Sequence, residues 1–182
     1  DFSIPLQSGD PQILKKMNRP YSPHFFKSLI EKVHQFLPHA AIGVDVMVGF
    51  PGETDEAFDN TVHLVESLPI SYLHVFPYSR RQLTPASKFP DQIEPDVIKS
   101  RFNILHQISR IKKEQFYQQM IGQTLGVIAE TKRDTATGFL KGVSENYVKV
   151  FFAGDDRLKN HLVQCQILEL LSNGAAFGKV IA

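Results

Sequence analysis

The stretch Ala40-Ala41-Ile42-Gly43-Val44-Asp45-Val46-Met47-Val48-Gly49-Phe50-Pro51-Gly52-Glu53-Thr54 constrains the chain more than any other. Its first part is a nearly unbroken apolar run rich in β-branched residues, the pattern of a strand buried on both faces. Gly49, Pro51 and Gly52 end the run, and a glycine at a strand's carboxy end lets a ligand come close to the backbone. Thr54 follows as a helix N-cap, with Asp55 and Glu56 in the first turn, where the helix dipole favours carboxylates. Ala57, Phe58, Val62, Val65 and Leu68 then share one helical face, and Pro69 lies just past its end. Ser71 to Phe76 reads as a second strand. Strand, helix and strand at this spacing form a βαβ unit, which builds parallel sheets whose ligands sit at the strands' carboxy ends.

The flanks extend the pattern. Phe2 to Gln7 is a short strand ended by Ser8-Gly9, and Asp10-Pro11 is a cap followed by a first-turn proline. Ser22-Pro23 repeats that signal and opens a helix with Phe26, Leu29, Ile30, Val33 and Leu37 on one stripe. Tyr78 to Ile93 is a loop of a length that is usually functional or mobile. A long helix from about Pro95 to Gln119 closes this domain, so the boundary is expected near Ile121-Gly122, giving domains 1–120 and 121–182. Beyond it come five short strand candidates, Gln123–Thr131, Phe139–Val143, Tyr147–Phe152, Leu162–Leu171 and Ala175–Ile181, with Ser172-Asn173-Gly174 as a tight turn. Five antiparallel strands in so short a segment predict a small closed barrel of the oligonucleotide-binding kind. The fold class is therefore α/β: a parallel βα part followed by a small antiparallel β-barrel.

Composition narrows the function classes. With 42% hydrophobic and 21% charged residues in 182, a packed core is expected and disorder is not. The one cysteine, Cys165, excludes an internal disulfide framework and fits a cytoplasmic protein. No run is long enough to span a bilayer. The chain starts without Met and inside a strand, which predicts a piece of a longer protein. The seven histidines lack metal-ligand spacing, and none is read as a ligand.

Ile4-Pro5-Leu6-Gln7-Ser8-Gly9, Leu14-Lys15-Lys16-Met17-Asn18-Arg19-Pro20-Tyr21, Asp45 to Thr54 and His74-Val75-Phe76-Pro77-Tyr78-Ser79, in that order, resemble the radical S-adenosylmethionine methylthiotransferase family. The tail resembles that family's TRAM domain, an RNA-binding module, through Glu130, Gly138, Gly142, Asn146 and Tyr147. Phe76-Pro77-Tyr78-Ser79 and Phe89-Pro90-Asp91-Gln92-Ile93 look most like the branch acting on N6-threonylcarbamoyladenosine in tRNA, with the isopentenyladenosine and ribosomal-protein branches as rivals, and with a non-catalytic RNA-binding module on a βαβ scaffold as the alternative from another class. The resemblance implies the carboxy-terminal part of a radical S-adenosylmethionine (β/α) barrel joined to a TRAM barrel. It implies a methylthio group added to a modified adenosine next to the anticodon. It also implies S-adenosylmethionine and two 4Fe–4S clusters as cofactors, and tRNA, a sulfur donor and an electron donor as partners. A single cysteine cannot ligate either cluster, so the chain alone is expected to be inactive. Ser3 stands where the family often has His, and Gln82-Leu83 replaces a usual Pro-Gly.

The resemblance also implies sites. Gln7 and Ser8 would meet the ribose and methionine parts of the cofactor; read from the residues alone they are equally a turn and a helix cap. Val46, Val48 and Gly49 would meet the adenine, although packing explains the valines. Asp45 inside an apolar run needs a partner, either the cofactor or a neighbouring backbone. Glu53 reads as fixing the turn. Phe76 and Tyr78 would wall the adenine, against core packing as the alternative for Phe76. Arg80 and Arg81 would reach RNA phosphate or a carboxylate on the modified base, or be a solvated pair. In the tail, seven cations face six acids, so charge alone argues little for RNA. The RNA-binding candidates there are Lys132, Arg133 and Lys141, with Phe139 and Tyr147 for stacking.

Overall fold

The computed structural model describes residues 2–181. The chain divides into two compact units, Phe2–Lys112 and the segment from Lys113 onward. In the first unit, β1 (Phe2–Gln7), β2 (Ile42–Val48) and β3 (Tyr72–Pro77) form a parallel sheet in that order. α1 (Pro11–Lys16) and α2 (Pro23–Phe36) connect β1 to β2, and α3 (Asp55–Ser67) connects β2 to β3. α4 (Pro95–Gln119) begins in the first unit and ends in the second. The start signals in the sequence are caps here. Asp10 Oδ1 accepts the N–H groups of Gln12 and Ile13 at 2.9 and 3.0 Å. Ser22 Oγ accepts that of Phe25 at 3.1 Å, and Thr54 Oγ1 that of Ala57 at 3.1 Å. At the far end of α3, Lys112 Nζ donates to the carbonyls of Glu66 and Leu68 at 2.6 and 2.8 Å, satisfying groups the helix leaves open.

β2 is buried on one face, not on both as its composition predicts. Val44, Val46 and Val48 are wholly buried and pack with Leu6, Ile30 of α2, Phe58 and Val65 of α3, and Leu105 of α4. The alternate residues Asp45 and Met47 are only half-buried. The cause is chirality. Right-handed crossovers that step one strand at a time lay every helix on the same side of the sheet. Ser3, Pro5, Asp45, Met47, Tyr72, His74 and Phe76 therefore share an open face, across which Ser3 Oγ donates to Asp45 Oδ1 at 3.2 Å.

One buried polar cluster ties the β2–α3 turn to α4. Gly49 sits at φ +77°, and a Cβ there would run into Ile98 of α4, so only glycine fits. Its N–H donates to Glu53 Oε1 at 3.0 Å. Arg101 donates through Nη1 to Glu53 Oε1 at 2.7 Å and to the Glu53 carbonyl at 3.0 Å, and through Nη2 to Asp55 Oδ1 at 2.7 Å. The guanidinium also lies 5.3 Å from the centre of the Phe58 ring. Glu53 and Arg101 are 2% and 5% exposed, so each needs the other.

The second unit is a closed barrel of β4 (Thr124–Ala129), β5 (Leu140–Ser144), β6 (Lys149–Phe152), β8 (Ala176–Ile181) and β7 (Leu162–Leu170), in that spatial order. The expectation of an all-antiparallel barrel is corrected at one seam, because β6 and β8 pair in parallel. The chain crosses with β7 before returning to β6, so the last strand enters in the same direction as its neighbour. Leu125, Val127, Leu140, Val150, Phe152, Cys165, Ile167 and Ala176 are among its buried residues. The end of α4 is fastened to the β5–β6 turn within this unit: Tyr117 Oη donates to the Tyr147 carbonyl at 3.2 Å and accepts the Lys149 N–H at 3.0 Å. Among the described residues no helix is long and apolar enough to cross a membrane.

Two outcomes follow from this packing. Burial pushes the Glu53 carboxyl above the usual carboxylate range, while the Gly49 N–H and Arg101 pull it back. Arg101→Met removes that pull and should destabilise the chain by about 3 kcal/mol or more at pH 8 in urea denaturation followed by circular dichroism. A carboxyl whose folded pKa is raised favours the protonated folded state, so its stability falls as pH rises. The loss in Arg101→Met should accordingly shrink towards pH 4.5, and adding Glu53→Gln should recover part of it at pH 8. Separately, Cys165 has no exposed surface and burial lifts its thiol to about 11. It should resist a thiol-disulfide reagent at pH 8 and react on addition of denaturant.

Candidate functional site

The carboxy ends of the three parallel strands meet at one edge. Gln7 pairs opposite Val46, Val48 opposite Pro77, and the Tyr78 N–H donates to the Val48 carbonyl at 2.8 Å. Gln7, Gly49 and Tyr78 thus share that edge. A bulge between Pro5 and Gln7 precedes a φ of +67° at Gln7. For a residue with a Cβ that conformation costs about 1–3 kcal/mol, and such strain gathers at functional positions.

The neighbouring candidates play different parts. Ser8 is fully buried. Its hydroxyl accepts the Asp10 N–H at 3.1 Å and lies 3.4 Å from Thr61 Oγ1 on α3, which also accepts the Gly9 N–H at 2.9 Å. Asp10 Oδ2 accepts from Asn60 Nδ2 at 3.0 Å. Ser8 therefore shapes the turn that aims Gln7, and its side chain does not line an open space. The Val48 side chain lies in the helical core, so only its main chain faces the edge. Gly49 faces α4. Asp45, with Ser3 as its partner, and Phe76, half exposed, stand on the open face. His74 lies between Tyr72 and Phe76 on that face, at ring distances of 5.0 and 6.5 Å.

A second apolar cluster floors the edge. Ile13, Phe50 and Ala57 are buried there, packed against Met17, Met47, Tyr78, Ala86 and Phe89. The Tyr78 ring meets Phe50 edge-on at 5.5 Å. Tyr78 Oη is buried and has no hydrogen-bond partner among the described residues. A hydroxyl left so costs about 1–3 kcal/mol, which a ligand acceptor or donor would relieve.

Two basic residues carry no role in the sequence reading: Lys15 and Arg19. They line a pocket of about 470 Å³ with Asn18, Tyr21 and Ser22. Asn18, at φ +56°, ends α1 in a Schellman turn, with Asn18 N–H to the Lys15 carbonyl at 3.0 Å and Arg19 N–H to the Leu14 carbonyl at 2.9 Å. Tyr21 Oη donates to the Pro5 carbonyl at 2.8 Å, fastening the pocket beside the last residues of β1. Neither Lys15 nor Arg19 has a side-chain hydrogen bond or ion pair among the described residues, and no carboxylate lines the pocket. Lys15, with Lys16, lies in the last turn of α1, where cations are ordinary, and Arg19 follows the turn that ends it.

The RNA-binding candidates differ in what engages them within each unit. Arg80 Nε donates to the Ser87 carbonyl at 2.9 Å, whereas the Arg81 side chain is exposed and without a partner among the described residues. In the barrel unit Arg133 is engaged on Asp156 Oδ1 at 2.8 Å and on the carbonyls of Gly138 and Gly154 at 2.9 and 2.8 Å. Lys141 lies 3.5 Å from Glu130, and Phe139 packs on Phe177 at 5.1 Å between centroids. Tyr147 is 61% exposed in the β5–β6 turn, at the opposite end of that hairpin from Phe139. Lys132 is exposed.

An open sheet face, a glycine-punctuated parallel edge and helices on the other side define the architecture of the first unit. Residues 1–65 match the model of the Radical SAM superfamily. The solved structure of coproporphyrinogen III oxidase from Escherichia coli, a radical SAM enzyme, shares the fold at a TM-score of 0.53 and 20% identity, over 60% of this chain and 26% of that one. More particularly, the chain is similar to tRNA methylthiotransferases. It is 37% identical over 162 residues to the tRNA-2-methylthio-N(6)-dimethylallyladenosine synthase of Pelotomaculum thermopropionicum, covering 89% of this chain and 36% of that protein. It is 36% identical over 168 residues to the threonylcarbamoyladenosine tRNA methylthiotransferase MtaB of Bacillus subtilis, covering 91% and 37%. The chain spans a little over a third of the length of these curated relatives.

The residues present fit one of the groups this superfamily implies and not the other. The unpartnered Tyr78 hydroxyl and the two unpaired cations suit a sulfonium-bearing nucleoside with a carboxylate. An iron–sulfur cluster needs several thiolates, and the chain has one cysteine, inside the barrel.

The strain at Gln7 generates a test. Gln7→Gly should leave the urea midpoint unchanged or raise stability by up to about 1 kcal/mol, because glycine accepts positive φ freely. The same change should weaken S-adenosylmethionine binding in calorimetry severalfold if the amide contacts the ligand.

Proposed function

We propose that this chain is part of a radical S-adenosylmethionine tRNA methylthiotransferase acting on N6-threonylcarbamoyladenosine next to the anticodon. The observation that carries the reading is the uncovered sheet face running into the edge shared by Gln7, Phe76 and Tyr78, whose buried hydroxyl has no partner among the described residues. Relatives named as tRNA methylthiotransferases, one for the dimethylallyl and one for the threonylcarbamoyl nucleoside, support the coarser reading over about nine-tenths of the chain. Identities of 37% and 36% do not separate the dimethylallyl from the threonylcarbamoyl branch. The preference for the latter rests on Phe76-Pro77-Tyr78-Ser79 and Phe89 to Ile93.

In this reading Lys15 and Arg19 hold the cofactor carboxylate, Asp45 and Gln7 take its ribose hydroxyls, and Phe76 with Tyr78 walls the adenine. Bound there, the cofactor supplies radical hydrogen abstraction and a methyl group. The chain's own residues orient it and exclude water. Ser8, Gly49 and Glu53 set backbone shape. Lys132, Phe139 and Lys141 of the barrel unit contact RNA, as do the arginines after β3, and Tyr147 contributes from the barrel's other end. The cluster ligands, sulfur donor and electron donor belong to other parts of the protein and the cytoplasm around it.

The full-length protein with reconstituted clusters should convert the threonylcarbamoylated nucleoside of tRNA to its methylthio form, read by nucleoside mass spectrometry. The present chain alone should leave it unchanged. An unmodified nucleoside with the loaded full-length enzyme would overturn the reading, and conversion of the dimethylallyl nucleoside instead would move it to the sister branch.

A further inference from the structure

The loop after β3 carries a feature that the site above does not use. Leu83 is 100% exposed, with every atom of a large apolar side chain in water. The loop beneath it is not slack. Thr84 N–H and Oγ1 both donate to the Arg81 carbonyl, at 2.9 and 2.8 Å. Ser87, buried, donates from Oγ to the Thr84 carbonyl at 2.7 Å, and its own carbonyl takes Arg80 Nε at 2.9 Å. Ala86 and Phe89 anchor the base of the loop in the apolar cluster under the strand edge. A turn fastened on both sides thus presents one leucine at its tip, beside the partnerless Arg81.

The loop's charge is mainly positive. From Tyr78 to Ile93 it holds Arg80, Arg81 and Lys88 against the single acid Asp91. Cations on a fastened turn suit the regularly spaced phosphates of a polynucleotide. An enzyme that works on a base in an RNA loop must draw that base out of its stack, and apolar side chains that enter the vacated step recur in proteins that do so. Arginine beside the wedge holds the backbone.

We propose that Leu83 is a wedge that packs into the RNA stack next to the target adenosine, with Arg81 on an adjacent phosphate. The inference rests on tRNA being the substrate. Where the family resemblance leads one to expect Pro-Gly, this chain has Gln82-Leu83, so the wedge is a property of this sequence.

The test uses the full chain and an anticodon stem-loop RNA with 2-aminopurine in place of the target adenosine. A residue this exposed can be changed without disturbing the fold. The unaltered chain should bind and raise the fluorescence as the base unstacks. Leu83→Ala should bind about fivefold to tenfold more weakly, lose most of the fluorescence rise and keep the same slope of affinity against salt. Arg81→Gln should lower that slope by about 0.7, the value for one phosphate contact on a single strand. Binding and fluorescence unchanged in Leu83→Ala would overturn the wedge while leaving the tRNA reading intact. No RNA binding by the unaltered chain would overturn both. Displacement of the RNA by an acidic peptide from the unaltered chain but not from Leu83→Ala would overturn the wedge in favour of a protein partner.

Discussion

The buried pair of Glu53 and Arg101 is the interaction on which the first unit's strand edge depends. A glycine at positive φ ends β2, and its amide would be an orphan donor in a dry place without Glu53 Oε1 at 3.0 Å. That carboxylate would in turn be an uncompensated buried charge without Arg101 at 2.7 Å. Arg101 belongs to α4, more than forty residues along the chain. The turn and the helix therefore stand or fall together, and the shape of the edge is held by a charge pair as well as by packing.

The second determinant is the one-sidedness of the sheet. Apolar helices cover one face, and valines fill it to zero exposure. The other face keeps a serine, a carboxylate, a histidine and two aromatic rings in view. Polar and aromatic groups on a sheet face are costly to bury without partners, and a face so built suits a ligand with both a ring and polar substituents. The Tyr78 hydroxyl, enclosed without a partner among the described residues, points to the same conclusion from an independent atom.

Much of the fold was legible in the sequence because its signals are local. Asp10-Pro11, Ser22-Pro23 and Thr54 are caps whose oxygen reaches an amide two or three residues on, so no distant partner is needed. The site was less legible. Ser8 and Val48 read as ligand contacts from their position, yet one side chain is taken up by α3 and the other by the helical core. Arg133 reads as a basic RNA contact, yet its donors are engaged on Asp156 and two carbonyls. Lys15 and Arg19 went unassigned although every residue lining their pocket lies within 11–22, because basic residues at and just past a helix end are ordinary.

Alone, the sequence determined the strand and helix order, the parallel character of the first unit and the presence of a five-stranded barrel. Each of these follows from periodicity, caps and turn residues within a few positions of one another. Only the tertiary structure decided which face of β2 is covered, that β8 joins β6 in parallel, and which polar side chains are free. Those outcomes depend on handed crossovers and on partners dozens of residues away, which no window of sequence contains.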